Sequence, residues 1–363
     1  MKKSQSHLDN KFMKMALDKA YEHLGSTKEN PSVGCIVVKN NAVISSGTTS
    51  LNGRPHAEFN ALNKKINFKD SKLYVTLEPC VHYGLTSPCI NIIKKKGIKK
   101  VYYSILDSDK RTKSKAKSQL KKSNIKVNIG LMKNESLDFY KSYILSKDKK
   151  SLPYMDVKIA ISKDFFTINK KNKWITNEFS RNNGHLLRSK YDCILTTYRS
   201  VNNDNSLLNC RIDGMQHLSP SRVIIDKNLK LKHNLKLLRT SKKIPTFVIT
   251  NTENKSKERL FKSKNITLIK VPNEEKKISY KKILMELKKR GFSRILCEAG
   301  SYTAGELLKK RLVNNLYVFM SQTNLRKNGK KSFKKHIKDL NINNKNKINV
   351  NLFGDVLYKV RIK

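Results

Sequence analysis

The chain has 363 residues, of which 38% are hydrophobic, and it carries 77 basic against 28 acidic side chains. Its length favours two domains over one, and its apolar content excludes wholesale disorder. No apolar run approaches the ~18 residues that a membrane-spanning helix needs, and the N-terminus lacks the apolar segment of a secretory signal. We therefore expect a cytoplasmic protein with no membrane partner.

The formal net charge of +49 has two interpretations. So positive a field could serve a nucleic-acid partner, or lysine could simply be frequent on every surface. The second interpretation is favoured, because lysines occur along the whole chain and no nucleic-acid-binding signature lies among them. We expect no nucleic-acid partner, and we expect the charge to attract small phosphorylated substrates.

Helices and strands are predicted to alternate through residues 1–146, the first proposed domain. Apolar residues at three- and four-residue spacing predict a helix from Met13 to Leu24, with Gly25 just past its end. The pattern then predicts strands at 33–38, 42–47, 73–77 and 101–106, and helices at 56–65 and 89–97. This alternation indicates an α/β layer structure.

A polar stretch at 147–153 is the predicted linker, and the alternation begins again in a second domain at 154–363. Strands are predicted at 154–161, 191–197, 222–226, 246–250, 266–271, 294–300, 316–322 and 356–363, and helices at 180–190 and 301–312. The second domain is therefore also α/β. Cys35, Cys193 and Cys297 lie inside apolar runs and are expected to be small core residues.

Three potential zinc ligands accompany one carboxylate. The sequence reads PHAE at 55–58 and EPC at 78–80, and a second cysteine follows at Cys89. His56, Cys80 and Cys89 supply the three protein ligands of a catalytic zinc, which leaves its fourth position to water. We expect all three at helix starts, where the helix dipole favours thiolate. Glu58 is then placed to move protons, an arrangement typical of zinc nucleobase deaminases.

These residues allow two other interpretations. His56 could be a buried histidine near two unrelated cysteines, or the site could hold a purely structural zinc. A structural zinc needs a fourth protein ligand, and the nearby candidate, His82, is poorly placed only two residues beyond Cys80. The catalytic interpretation is therefore favoured.

The string NPSVGCIVV…PHAE…LYVTLEPCVHYGLTSPC resembles the bifunctional deaminase/reductase family of riboflavin biosynthesis. In that family eight residues separate the two cysteines, as they do here. VKIAISKD, NKWIT and CEAGSYTAGELL extend the resemblance over nearly the whole chain. The resemblance implies a cytidine-deaminase-like α/β/α domain followed by a dihydrofolate-reductase-like α/β domain, in a homo-oligomer formed through the reductase domain.

The same resemblance implies two reactions on a phosphorylated pyrimidine. The first domain would use Zn2+ to deaminate 2,5-diamino-6-ribosylamino-4(3H)-pyrimidinone 5′-phosphate. The second would use NADPH to reduce 5-amino-6-(5-phosphoribosylamino)uracil to 5-amino-6-(5-phosphoribitylamino)uracil.

The resemblance also assigns site residues, beginning with Asn30 near the pyrimidine ring. The cofactor positions are Ala160, Trp174, Ser200, Asp204, Gly300, Ser301, Tyr302, Thr303, Ala304, Gly305 and Glu306. The substrate positions of the reductase are Asn172, Arg188, Leu208, Arg211 and Glu298. A glycine-bearing turn into a helix exposes N–H groups to phosphate, and a pair of arginines suits a ribose phosphate. Arg188 could instead be a solvated helix residue, and Trp174 a plain core residue.

The chain departs from the family at several positions. Thr49 replaces a histidine, Leu85 a lysine or arginine, Asp109 an asparagine, Phe165 a glycine and Asn205 an aspartate. The residues needed for zinc chemistry all remain, so we expect the family reactions with altered substrate contacts. The alternatives are a zinc deaminase acting on nucleic acid or on another phosphorylated pyrimidine, with a drifted second domain, and a non-enzymatic nucleic-acid-binding protein.

Overall fold

The computed structural model describes residues 2–274, 277–340 and 342–363. The chain divides into two compact units, Met1–Ser151 and Leu152–Lys363. The division falls within the polar segment at 147–153, and each unit has an apolar core of its own. Among the described residues, no helix is both long and apolar enough to cross a membrane.

The first unit is built on one five-stranded sheet. Its strands are β1 (Gly34–Lys39), β2 (Ala42–Thr48), β3 (Lys72–Leu77), β4 (Lys100–Ile105) and β5 (Lys126–Ile129). Its helices are α1 (Lys2–Tyr21), α2 (Ala57–Leu62), α3 (Cys89–Lys95), α4 (Ala116–Lys121), α5 (Lys133–Phe139) and α6 (Lys141–Lys147). The strand order is β2-β1-β3-β4-β5, with β1 antiparallel to both neighbours and β3, β4 and β5 parallel.

Both faces of this sheet are covered by helices, because alternate residues of a strand point to opposite faces. Ile36 and Val38 of β1 pack with α1 residues in one cluster. Cys35 and Val37 lie in a second cluster with apolar residues of α2 and α3. The first unit therefore has three layers, helix, sheet and helix.

Two glycines allow the helices to pack directly on the strands. A Cβ on Gly34 would lie 1.8 Å from the carbonyl oxygen of Ala16 in α1. A Cβ on Gly47 would lie 2.3 Å from the carbonyl oxygen of Ala57 in α2. Since α2 begins directly after His56, the contact at Gly47 sets the height of that histidine above the sheet.

The first helix begins at Lys2, well before the start at Met13 that its apolar periodicity predicts. Tyr74 of β3 donates a buried 2.6 Å hydrogen bond to Asp9, and Phe12 packs in the same cluster as Tyr74. These contacts join residues about sixty positions apart, so helical spacing alone could not indicate them.

The second unit contains a larger sheet and two small sheets of two strands each. Its strands are β6 (Tyr154–Ile161), β7 (Phe166–Asn169), β8 (Cys193–Thr197), β9 (Ser221–Ile225), β10 (Thr246–Thr250), β11 (Ile266–Lys270), β12 (Asn273–Glu274), β13 (Lys277–Ile278), β14 (Arg294–Cys297), β15 (Asn315–Met320), β16 (Gly329–Ser332) and β17 (Val356–Arg361). Its helices are α7 (Glu178–Arg188), α8 (Tyr198–Asp204), α9 (Lys236–Arg239), α10 (Lys255–Ser263), α11 (Tyr280–Lys289), α12 (Ser301–Lys309) and α13 (Lys334–Lys338).

The small sheets are β12-β13 and β16-β7, and the large sheet has the order β11-β10-β9-β8-β14-β6-β15-β17. All its pairings are parallel except the last, in which β17 runs antiparallel to β15. The strand predicted at 294–300 ends at Cys297, so Glu298 to Gly300 form the link into α12. Glu298 therefore lies at the carboxyl end of a central parallel strand, where α/β sheets commonly place ligand-binding groups.

Candidate active sites

The three predicted zinc ligands converge in the first unit. His56 Nδ1 lies 3.6 Å from Cys80 Sγ and 3.4 Å from Cys89 Sγ. The three ligand atoms all lie within 4.8 Å of one another. His56 is the residue before α2 and Cys89 is the first residue of α3, but the expectation of a helix start is wrong for Cys80. Cys80 follows β3 in a loop, and its sulfur accepts a 3.2 Å hydrogen bond from the Cys89 backbone N–H at the start of α3.

The distances between these atoms fit a zinc ion. Bonds of ~2.3 Å to sulfur and ~2.0 Å to nitrogen at tetrahedral angles require nitrogen–sulfur separations of about 3.5 Å. Both observed separations agree with that value. Within the described part of the chain this cluster holds no fourth ligand. His82 instead contacts the hydroxyl of Thr112 at 3.1 Å, which argues against a closed structural site.

Glu58 lies in the first turn of α2 and is buried. Burial, together with the negative charge of Cys80, raises the pKa of Glu58 to about 7. The hydrogen bonds of Cys89 and His56 lower the pKa of Cys80 to about 4, against the effect of burial. The site therefore pairs a thiolate ligand with a carboxyl group able to take or give a proton near neutral pH.

Asn30 is held close to the metal-ligand segment by a glycine. Gly53 has a φ of +91°, and a Cβ there would lie 2.5 Å from Asn30 Nδ2. The amide of Asn30 therefore rests on the chain three residues before His56. The structure therefore brings this candidate substrate residue to the segment that carries His56.

Three positions of the first unit depart from the family, and none of them carries a positively charged side chain. Thr49 is buried, and its hydroxyl accepts the backbone N–H of Val33 at 2.9 Å. Leu85 is 88% exposed. Asp109 holds the guanidinium of Arg111, with 2.6 Å between Nη2 and Oδ2. None of these three positions therefore offers a positive charge to an anion.

A buried ion pair occupies the candidate reductase site. Arg188 donates to Glu298 through Nε at 2.6 Å and through Nη2 at 2.9 Å. The Arg188 side chain is only 14% exposed, so the alternative of a solvated helix residue is wrong. Glu298 thus occupies much of the N–H donor capacity of Arg188 that was expected to bind a ribose phosphate. Arg211, the other predicted arginine, donates to Asn209 Oδ1 at 3.0 Å and is exposed.

Two further charged or titratable residues of this site were not assigned from the sequence. Lys158 Nζ lies 3.9 Å from Glu298 Oε2. His185 is buried against the Asn209 carbonyl oxygen at 2.9 Å, and burial with the charge of Arg188 lowers its pKa to about 4. A signal was available for Lys158, because a lysine in the middle of a mainly apolar strand needs a partner.

The predicted cofactor segment opens α12. Gly300 precedes the helix, and a Cβ there would meet no atom within 4 Å. Tyr302 is 71% exposed, whereas Ala304 is buried and a Cβ on Gly305 would lie 2.4 Å from His336 Nε2. Ser301 and Thr303 are also buried, and Glu306 is half-buried. The open surface is thus the first turn, where backbone N–H groups lack helical partners.

The remaining assigned residues lie at different depths. Trp174 is 49% exposed with the Arg181 guanidinium 4.8 Å from its ring, so the alternative of a core tryptophan is wrong. The Leu208 side chain lies in an apolar cluster, which leaves only its backbone for a ligand. Ala160 is half-buried in β6, Ser200 lies in the first turn of α8, Asp204 ends α8, and Asn172 is exposed.

Comparison with known proteins gives matches to both units. The family model described as the RibD C-terminal domain matches residues 153–342. The model of the cytidine and deoxycytidylate deaminase zinc-binding region matches residues 6–105. The riboflavin biosynthesis protein RibD of Aquifex aeolicus is 32% identical over 86% of this chain and 87% of its own length. RibD of Buchnera aphidicola is 31% identical over 85% of this chain and 86% of its own.

Solved structures cover both units together. RibD of Acinetobacter baumannii matches with a TM-score of 0.83 and 26% identity, over 98% of this chain and 99% of that one. A Thermotoga maritima diaminohydroxyphosphoribosylaminopyrimidine deaminase/5-amino-6-(5-phosphoribosylamino)uracil reductase matches with a TM-score of 0.82 and 26% identity over the same shares. The predicted fold classes of both units are confirmed. Zinc is the cofactor of the deaminase domain, and NADPH is the cofactor of the reductase domain. The chain belongs to the RibD family of bifunctional deaminase/reductases of riboflavin biosynthesis.

Proposed function

We propose that the unit Met1–Ser151 deaminates 2,5-diamino-6-ribosylamino-4(3H)-pyrimidinone 5′-phosphate. The unit Leu152–Lys363 then reduces 5-amino-6-(5-phosphoribosylamino)uracil with NADPH to the ribityl product. The observation that carries the proposal is one imidazole nitrogen and two sulfurs at zinc-ligand separations, with a buried carboxyl group beside them. Family membership supports the same pair of reactions.

In the deaminase site, His56, Cys80 and Cys89 would hold the zinc. The bound ion supplies a water molecule acidic enough to react near neutral pH. Glu58 would accept the two protons of that water in turn, passing the first to the ring nitrogen and the second to the departing amine. A pKa near 7 suits both directions of transfer, because the group is then neither a strong acid nor a strong base.

In the reductase site, the first turn of α12 is proposed to bind a phosphate of NADPH. The half-exposed ring of Trp174 offers an apolar face to the same cofactor. Glu298 and Arg188 hold each other in one orientation, and Arg211 remains exposed to meet a phosphorylated sugar. Asn172, Leu208, Ala160, Ser200 and Asp204 keep the roles that the family resemblance implies.

The proposal is tested with the zinc-loaded full chain, the diaminopyrimidine phosphate and NADPH. We expect one ammonia released per substrate, followed by one NADPH oxidised and formation of the ribityl product. Without NADPH, the two-step reaction should stop at the deaminated pyrimidine. Ammonia release without any later NADPH oxidation would refute the assignment of the second unit, and absence of both would refute the whole proposal.

Two finer expectations remain predictions. We propose a homo-oligomer formed through the second unit, and we propose the cytoplasm as its location. Sedimentation analysis of the full chain, followed by that of surface variants in the second unit, measures the first.

A further inference from the structure

Arg54 lies between two segments that contribute metal ligands. It precedes His56 by two residues, and its Nη1 donates a 2.7 Å hydrogen bond to the hydroxyl of Thr86. Thr86 belongs to the segment between Cys80 and Cys89. The Nη2 atom lies so close to Gly84 that a Cβ there would be 3.3 Å from it. The guanidinium thus reaches across from the His56 segment to the loop that joins the two cysteines.

Most donors of this guanidinium are available. An arginine has five N–H groups, and one of those of Arg54 is used by Thr86. No acidic side chain of the described residues forms an ion pair with Arg54, whereas Asp109 holds Arg111 and Glu298 holds Arg188. A half-buried cation with open donors is suited to a bidentate contact with an anion.

Arg54 lies close to the candidate metal ligands. It is two residues before His56, and Thr86, which accepts its hydrogen bond, is three residues before Cys89. On its other side, Arg54 follows Gly53, the residue against which Asn30 rests. Arg54 therefore lies beside both the candidate pyrimidine contact and the candidate metal centre.

We propose that Arg54 binds the phosphate group of the pyrimidine substrate in the deaminase site and makes that site selective for the phosphorylated form. This inference rests on the proposed function. The positions at which the family carries a cationic or imidazole side chain are uncharged here, Leu85 at the surface and Thr49 in the interior. Arg54 supplies a positive charge at the same loop by a different route, through its contacts with Gly84 and Thr86.

The test compares the diaminopyrimidine 5′-phosphate with its dephosphorylated nucleoside on the zinc-loaded full chain. For the phosphate, Arg54→Gln should lower kcat/KM about ten- to a hundredfold, mainly through KM, because one charge-assisted contact is lost. For the nucleoside, kcat/KM should stay within about twofold. Arg54→Lys should keep part of the preference, because a lysine retains the charge but not the fork.

Two matched variants separate anion binding from simple loop tethering. Thr86→Val removes the hydrogen bond but leaves the cation, so it should keep most of the phosphate preference. Arg111→Gln removes a positive charge of the same unit that Asp109 already neutralises, and it should keep the full preference. The proposal is overturned if Thr86→Val reproduces Arg54→Gln, if Arg111→Gln alone loses the preference, or if Arg54→Gln slows both substrates equally.

A binding measurement keeps this inference distinct from the proposed reaction. In the zinc-loaded Glu58→Gln background, calorimetry with the phosphate and the nucleoside should show the same ten- to hundredfold loss, for the phosphate only, on adding Arg54→Gln. A wild-type chain that binds the phosphate selectively but releases no ammonia would refute the reaction and keep the role of Arg54. Equal affinity of the two ligands in the wild-type background would refute the role of Arg54.

Discussion

Replacing Glu298 with glutamine should strongly destabilise the second unit. The carboxylate accepts two hydrogen bonds from Arg188, at 2.6 and 2.9 Å, and lies 3.9 Å from Lys158 Nζ. The Glu298 and Arg188 side chains are only 11% and 14% exposed, so water screens the pair weakly. Glutamine has nearly the same shape, but it leaves two largely buried cations, Arg188 and Lys158, without a counter-charge.

The size of the effect follows from the pKa of Glu298. Burial alone would raise this pKa, but the charges of Arg188 and Lys158 lower it from 4.5 to about 2. Each pKa unit corresponds to 1.36 kcal/mol, so the carboxylate contributes about 3 kcal/mol. This agrees in magnitude with the ~3–5 kcal/mol lost when one partner of a buried ion pair is removed. A depressed carboxyl pKa means that the contribution is complete above pH 4.5 and is lost as the pH falls towards 2.

Urea unfolding provides the assay, because urea does not screen charges as guanidinium chloride would. Trp174 is the only tryptophan of the chain, so its fluorescence reports on the second unit alone. We expect a midpoint about 1–2 M lower for Glu298→Gln at pH 7, and a difference that shrinks below pH 4.5. Glu253→Gln is the matched control, because Glu253 pairs with Lys270 at an 81% exposed position, and its midpoint should not change.

Equal midpoints for Glu298→Gln and the wild-type chain would refute the reasoning. So would a loss of stability that stays constant from pH 7 down to pH 3, because the destabilisation would then not arise from the charge on the carboxylate.

Three further predictions concern the two sites. Glu58→Gln should retain zinc, measured by metal analysis, while ammonia release falls by about 10²–10⁴-fold; an active variant would remove Glu58 from proton transfer. A chelator should abolish ammonia release but leave NADPH oxidation by the deaminated pyrimidine intact, and parallel loss of both would contradict separate sites. Gly305→Ala should lower the unfolding free energy of the second unit by about 1–3 kcal/mol through its clash with His336. Thermal unfolding of the double variant with His336→Ala should recover most of that loss.

Local patterns were sufficient to predict most elements and the convergence of three potential metal ligands. The spacing of His56, Cys80 and Cys89 indicated the cluster that the fold brings together, because each lies next to a strand or helix that periodicity can locate. The turn between β1 and β2 is equally local, since Asn40 and Asn41 both adopt the positive φ that a two-residue hairpin needs. Chemistry that depends on neighbours in sequence could therefore be predicted.

Contacts between distant residues could not be predicted in the same way. Arg188 and Glu298 are 110 positions apart, and nothing in either local pattern shows that one satisfies the other. Trp174 appeared equally suited to a core, because hydrophobicity does not distinguish an exposed platform from a buried side chain. The role proposed for Arg54 needed the position of Gly84 and Thr86, which only the folded loop provides.

The contact between α2 and β2 makes the zinc centre depend on a residue with no functional group. With 2.3 Å between a Cβ at position 47 and the Ala57 carbonyl oxygen, any side chain there must push the helix outward. The imidazole of His56 would move with that helix while both sulfurs stayed on other segments. We therefore expect replacements of Gly47 to retain zinc as poorly as replacements of a ligand do, although all three candidate ligands are still present.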